Sequence, residues 1–137
     1  MKLDNDSYIT SLYFSEFGYG WPEEVYEYKS KNDKGKIIYK FYSGKESPVI
    51  NVRDINKFSK QVFEIIKTWK RKYYWKGFTI CDGTMWELRI KLSNGKYLRY
   101  EGHQMFPENY KNLRGYLNRF VGKYAKEFKD DYSRYSF

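Results

Sequence analysis

Two residues able to do chemistry are each alone of their kind in this chain, Cys81 and His103. A thiolate beside an imidazole is a nucleophile with its base. Cys81 and Asp82 lead into a predicted strand, Met85–Leu92, and His103 leaves the predicted partner strand, so both fall at one end of a hairpin. Trp75, Asp82, Trp86 and His103 therefore delimit a candidate pocket, in which Arg and Tyr neighbours could sequester a small anionic ligand such as a nucleotide. The plainer reading is a buried cysteine acting as a small hydrophobe and a rim histidine that contacts solvent or caps the following helix.

The rest of the catalytic vocabulary is missing. One His and one Cys do not make a zinc set of three or four N/S ligands. No Gly-x-Ser-x-Gly elbow and no GxxxxGK[ST] or GxGxxG loop is present. Glu87 and Glu101 fall on the outer face of the predicted hairpin with Arg89 and Arg99. Such surface ion pairs contribute at most about 1 kcal/mol and do no acid–base work. The sequence thus points away from an enzyme and implies no cofactor or metal.

The chemistry it does favour is the binding of a polyanion. Lys70, Arg71, Lys72, Tyr73, Tyr74, Trp75 and Lys76 form the densest run of bases and aromatics. Cations can track phosphates while rings stack on bases, the pattern of single-strand binders, although no RNP or other module signature accompanies it. Lys57, Lys60 and Lys67 add charge from one predicted helix face, which would equally serve as a solvated surface. The net charge is +9, and it is uneven: residues 1–30 hold two bases and six acids, residues 31–137 the other 24 bases and 11 acids. A basic body attracts polyanions. Yet 19 lysines against seven arginines, with a single alanine, Ala125, is also the bias of an AT-rich genome.

These residues need a scaffold. A chain of 137 residues suits one domain, 1–137, with 1–7 and 129–137 expected as flexible tails. Aromatics make up 22% of it, so Tyr, Phe and Trp build the core; each of the sixteen tyrosine hydroxyls needs water or a partner when buried, and many are expected at the sheet surface with their hydroxyls wet. The lone cysteine forbids an intramolecular disulfide. Residues 1–10 carry no apolar h-region and no run reaches membrane-span length, so a cytoplasmic location is expected, with no membrane partner.

Strands are expected at 8–14, 24–30 and 36–42, and a short one at 49–52. Asn32–Gly35 is a turn, and Tyr26 and Tyr28 share one face of the second strand. Asp54 caps a helix predicted to reach Tyr73, its stripe being Ile55, Phe58, Val62, Ile65, Ile66, Trp69 and Tyr73. In Met85–Leu92 the residues Trp86, Leu88, Ile90 and Leu92 face the core. A two-residue Asn94-Gly95 turn would set Ile90 against Arg99, with charge in the core. A three-residue loop with Gly95 in a bulge sets Ile90 against Leu98 and Leu88 against Tyr100, and is the predicted register. Pro107 is placed in the first turn of a second helix, with a stripe from Tyr110 to Phe128. The expected fold is α+β: an antiparallel sheet of about five strands, in the order β-β-β-[short β]-α-β-β-α, with two helices on one face.

Trp75-x-Gly77-Phe78, Asp82-Gly83-x-x-Trp86-x-Leu88-x-Ile90, Gly95, Gly102 and Pro107-x-Asn109-Tyr110 together resemble an uncharacterised group of small proteins from low-GC Gram-positive bacteria and their mobile elements. The resemblance implies an α+β domain and no activity. The leading expectation is a non-catalytic basic binding module whose partner is an acidic protein surface or a nucleoprotein complex. An inhibitor of a nucleic-acid-handling machine, of the kind mobile elements carry, is its concrete form. Direct nucleic-acid binding through Lys57, Lys60, Lys67, Lys70, Arg71, Lys72, Tyr73, Tyr74 and Lys76 is the principal alternative.

Overall fold

The computed structural model describes residues 7–18, 21–41, 44–74 and 83–135. The readings placed on Trp75, Lys76, Cys81 and Asp82 fall outside them. Among the described residues the chain forms β1 (Ile9–Gly18), β2 (Trp21–Lys31), β3 (Lys34–Phe41), β4 (Lys45–Glu46), β5 (Ile50–Val52), α1 (Ile55–Ile66), β6 (Lys72–Tyr74), β7 (Met85–Leu92), β8 (Tyr97–His103) and α2 (Tyr110–Tyr135). The fold is α+β, with one mostly antiparallel sheet ordered β4-β3-β2-β1-β7-β8-β6 and β5 paired to β3.

The sheet has eight strands rather than about five. The main additions, β4 and β6, are two and three residues long, too short for alternation to show. Each satisfies an edge. Ser47 N–H donates to Tyr39 O at 2.8 Å. Strand β6 pairs in parallel with β8, where Glu101 N–H donates to Arg71 O at 3.0 Å. Backbone groups left bare at a sheet edge seek such partners.

That pairing corrects the first helix. Asp54 caps it as read, accepting from Lys57 N–H at 2.9 Å, but α1 ends at Ile66, not Tyr73. Trp69 N–H closes a short turn onto Ile66 O at 2.9 Å, and the indole enters the core among Trp86, Tyr100 and Tyr110. Trp69 and Tyr73 do face inward, so the helical spacing that includes them is coincidence. The second helix is corrected too. Pro107 lies a turn ahead of it, accepting from Tyr110 N–H at 3.2 Å, and Asn109 adopts a left-handed φ of 68° before α2 begins. At its far end α2 runs through the segment read as a tail: Tyr132 packs on Phe41 and Lys45 reaches Asp131 at 2.8 Å.

The β7–β8 register is the predicted one. Ile90 opposes Leu98 and Leu88 opposes Tyr100, while Leu92 N–H donates to Lys96 O at 2.9 Å and Gly95 sits at φ 88°. Leu12, Phe14, Tyr26, Tyr28, Ile37, Tyr39, Leu88 and Ile90 form the inner face, each 2% exposed or less. Both helices cover that face. Phe58 of α1 stacks on Tyr28 at 4.0 Å and meets Tyr116 and Phe120 of α2. Ser59 ties α1 to β1, accepting from Ile9 N–H at 2.9 Å. Helix α2 is 26 residues, about 39 Å at 1.5 Å per residue, and spans from Trp86 on β7 to Tyr39 on β3.

The core tyrosines are drier than expected, because acceptors are buried with them. Tyr26 donates to Asn118 at 2.9 Å, Tyr39 to Glu24 at 2.7 Å and Tyr110 to Glu16 at 2.5 Å.

Two glycines make opposite predictions. A Cβ on Gly102 would lie 2.3 Å from Trp86 Nε1 and 2.7 Å from Met105 O, whereas one on Gly115 meets nothing within 4 Å. Gly102→Ala should destabilise by about 1–3 kcal/mol, as overpacking does. Gly115→Ala should stabilise by about 0.5–1 kcal/mol. Urea denaturation of the two variants checks both.

Candidate functional site

With the helices on the inner face, cross-strand register organises the outer one into rungs. The first runs Lys36, Lys29, Ser11, Lys91, Tyr97 across β3, β2, β1, β7 and β8. The second runs Ile38, Glu27, Tyr13, Arg89, Arg99, and the third Lys40, Val25, Ser15, Glu87, Glu101, Lys72. The last is Phe17, Met85, His103, Tyr74.

Most of the charge in the middle rungs is paired. Arg99 bonds Glu87 at 2.7 Å and Glu101 at 2.9 Å, Arg89 Nε lies 2.9 Å from Glu87, and Lys40 lies 3.2 Å from Glu27. The Arg89 guanidinium also lies 4.0 Å over the Tyr13 ring, a cation–π contact. The last rung is apolar and open: Phe17 is 51% exposed, Met85 51% and Tyr74 47%. These three and Tyr13 border a hollow of about 350 Å³, with Glu23 and Glu101 also lining it. Tyr74 donates to Glu101 at 2.5 Å, and that hydrogen bond raises its hydroxyl above the ordinary tyrosine range.

The residues singled out from sequence are dispersed. Lys57 and Lys60 are exposed on α1 and Lys67 at its C-cap, where it pairs with Glu64 at 2.5 Å. Lys70 and Arg71 lie between α1 and β6, and the Arg71 guanidinium sits 5.2 Å over Tyr100. Strand alternation then parts the two tyrosines. Tyr73 turns inward against Trp86 and takes Lys70 N–H at 2.8 Å, while Tyr74 and Lys72 face outward. No continuous stacking platform forms from Tyr73 and Tyr74. The predicted pocket is divided in the same way. Trp86, 3% exposed, lies under α2 and donates to Met105 O at 2.9 Å. His103 pairs with Met85 and lies on the other face. His103 Nε2 is buried without a hydrogen-bond partner among the described residues.

A charged cluster that the sequence reading missed lies under α2. Glu24 is 7% exposed and receives Arg114 Nη1 at 3.0 Å, Lys129 Nζ at 2.6 Å and the Tyr39 hydroxyl. The other Arg114 nitrogen, Nη2, pairs with Glu16. Burial alone would raise the Glu24 carboxyl, but Arg114, Lys129 and Tyr39 together hold it below the usual carboxylate range. Burial lifts the Tyr110 hydroxyl, and the Glu16 carboxylate beside it lifts it further. A groove of about 800 Å³ runs past this cluster between Phe106 and Asn118. Its arginine is already engaged by two carboxylates, so the groove offers an anion no free guanidinium.

No protein-family model, curated protein or solved structure matches the chain, so the functional reading rests on this geometry.

The cluster predicts a pH dependence. The folded Glu24 carboxyl titrates below its unfolded value, so its contribution is complete above the ordinary carboxylate pKa of about 4.3. It is lost as pH falls through the lower folded value. Glu24→Gln should cost on the order of 3 kcal/mol at neutral pH, as breaking a buried pair does. The gap to the parent should narrow in acid, which denaturation at both pH values would show.

Proposed function

We propose that this chain is a non-catalytic binding module that docks on a macromolecular partner through the open face of its sheet. The observation that carries the reading is the row Phe17, Met85 and Tyr74, all about half exposed around a hollow, on a face that no described helix covers. Exposed apolar side chains inside a rim of polar ones are the usual anatomy of an interface. Aromatic anchors seated in such hollows carry most of the energy of a contact. The Glu87, Glu101, Arg89 and Arg99 network beside the hollow supplies that rim and fixes the strands that present it.

The basic balance of the chain favours an acidic protein surface or a nucleoprotein complex as the partner. An inhibitor of a nucleic-acid-handling machine would work in this way, by occupying a surface rather than by catalysis. Nucleic-acid binding through the segment around Lys70–Tyr74 has less support, because Tyr73 is spent in the core.

The test is capture of partners from a lysate by the immobilised full chain and by a Phe17→Ser/Met85→Ser variant. Both positions are half exposed, so the variant should fold. Recovery of the bound partner is expected to fall at least about tenfold, the equivalent of 1.4 kcal/mol. Equal recovery by the two proteins would overturn the reading.

A further inference from the structure

The opposite end of the open face has a different character. Strands β2 and β3 meet at a two-residue turn, Asn32-Asp33, with φ of 53° and 62°. Lys31 pairs there with Lys34, and two residues back Lys29 pairs with Lys36. Residues two apart share a face, so all four ammonium groups project from the outer side of one hairpin tip. All four lysines are exposed. Lys91 extends the group along the first rung, past Ser11, and Tyr97, 54% exposed, closes that rung.

Like charges directly opposite on neighbouring strands destabilise a sheet. On the same face Lys40, Arg89 and Arg99 are each relieved by a carboxylate. Among the described residues, no ion pair joins Lys29, Lys31, Lys34, Lys36 or Lys91 to a carboxylate, Asp33 of the turn included. Among the described residues the hairpin therefore holds an uncompensated block of positive charge, which an external anion would relieve.

We propose that this hairpin tip seats the phosphodiester backbone of a nucleic acid. The match is one of charge density. Two residues of strand span about 7 Å, and the hairpin sets four lysines within that length. A duplex carries one negative charge per about 1.7 Å of axis, roughly four over the same span. In a single strand the phosphates meet the same lysines, and exposed Tyr97 offers a ring on which a base can stack. The inference rests on the open face being the working surface. It makes the partner a nucleoprotein, with protein at the Phe17–Met85 end and nucleic acid at the Lys29–Lys36 end.

The experiment is fluorescence anisotropy of labelled single-stranded and duplex oligonucleotides with the full chain, from about 50 to 200 mM salt. The parent should bind at least one of them, with affinity falling steeply as salt rises. A Lys29→Gln/Lys31→Gln/Lys34→Gln/Lys36→Gln variant should lose at least about tenfold in affinity, and on duplex its log–log salt slope should shrink by roughly three to four, at about 0.9 per phosphate. Its thermal midpoint should equal or exceed the parent's, since like charges have been removed. The milder Lys31→Gln/Lys34→Gln variant should show about half the change in slope. Lys57→Gln/Lys60→Gln/Lys67→Gln should bind as the parent does.

Phe17→Ser/Met85→Ser should keep nucleic-acid binding while losing the protein partner, so the two proposals fail separately. Absence of binding at the lowest salt, or parent-like binding by both hairpin variants, would overturn the inference. So would competition by polyglutamate as effective as that by an oligonucleotide of equal charge, which would assign the tip to an acidic protein.

Discussion

One buried carboxylate decides which face of this protein is open. Glu24 projects from β2 into the interior and takes Arg114 from the first half of α2 and Lys129 from the second. The two cations are about four helical turns apart, so a single acid fixes both the position of the long helix and its direction across the sheet. Tyr39 and Glu16 complete the bond set. A buried charge left without partners is strongly unfavourable, and other placements of α2 would leave several. The helix is held to the inner face, and among the described residues no helix covers the outer one.

The two faces then divide the aromatic residues. Inside, Tyr26, Tyr28, Tyr39 and Tyr100 are essentially fully buried and pack against Phe14, Phe58, Trp69 and Trp86. Outside, Tyr13 and Tyr97 lie beside charged neighbours, while Phe17 and Tyr74 share a rung with Met85 and His103. The outer face changes character along its length: lysines at the β2–β3 turn, a band of paired Glu and Arg, then a hollow edged by Phe17, Met85 and Tyr74. A surface with two chemically distinct ends suits a partner that also has two, and so the protein and nucleic-acid readings become one.

Much of this frame was legible in the chain. The β7–β8 register followed from refusing charge in the core, and the Asp54 cap from its place before an apolar stripe. The separation of Trp86 from His103 was implicit in that same register, which sets His103 opposite Met85. Glu24 shares the parity of Tyr26 and Tyr28, and so its inward direction was readable. Its partners were not, because the contacts to Arg114 and Lys129 join segments some ninety residues or more apart. The hairpin lysines were also written locally: Lys-Ser-Lys-Asn-Asp-Lys-Gly-Lys is symmetric about its turn, and a two-residue loop puts all four on one side. What misled was the end of α1. Trp69 and Tyr73 prolong its stripe by chance, while the fate of that segment is set by the open edge of β8, a tertiary fact that no local pattern carries.

The outer sheet face, and not the basic helix surface, is the one proposed to meet the partner. Mass-spectrometric footprinting of lysine acetylation, with and without an oligonucleotide, reads both surfaces in one sample. In that arrangement Lys29, Lys31, Lys34, Lys36 and Lys91 should be protected, with Lys57, Lys60 and Lys67 modified as in the free protein. Protection of the α1 lysines with the hairpin lysines unchanged would contradict it.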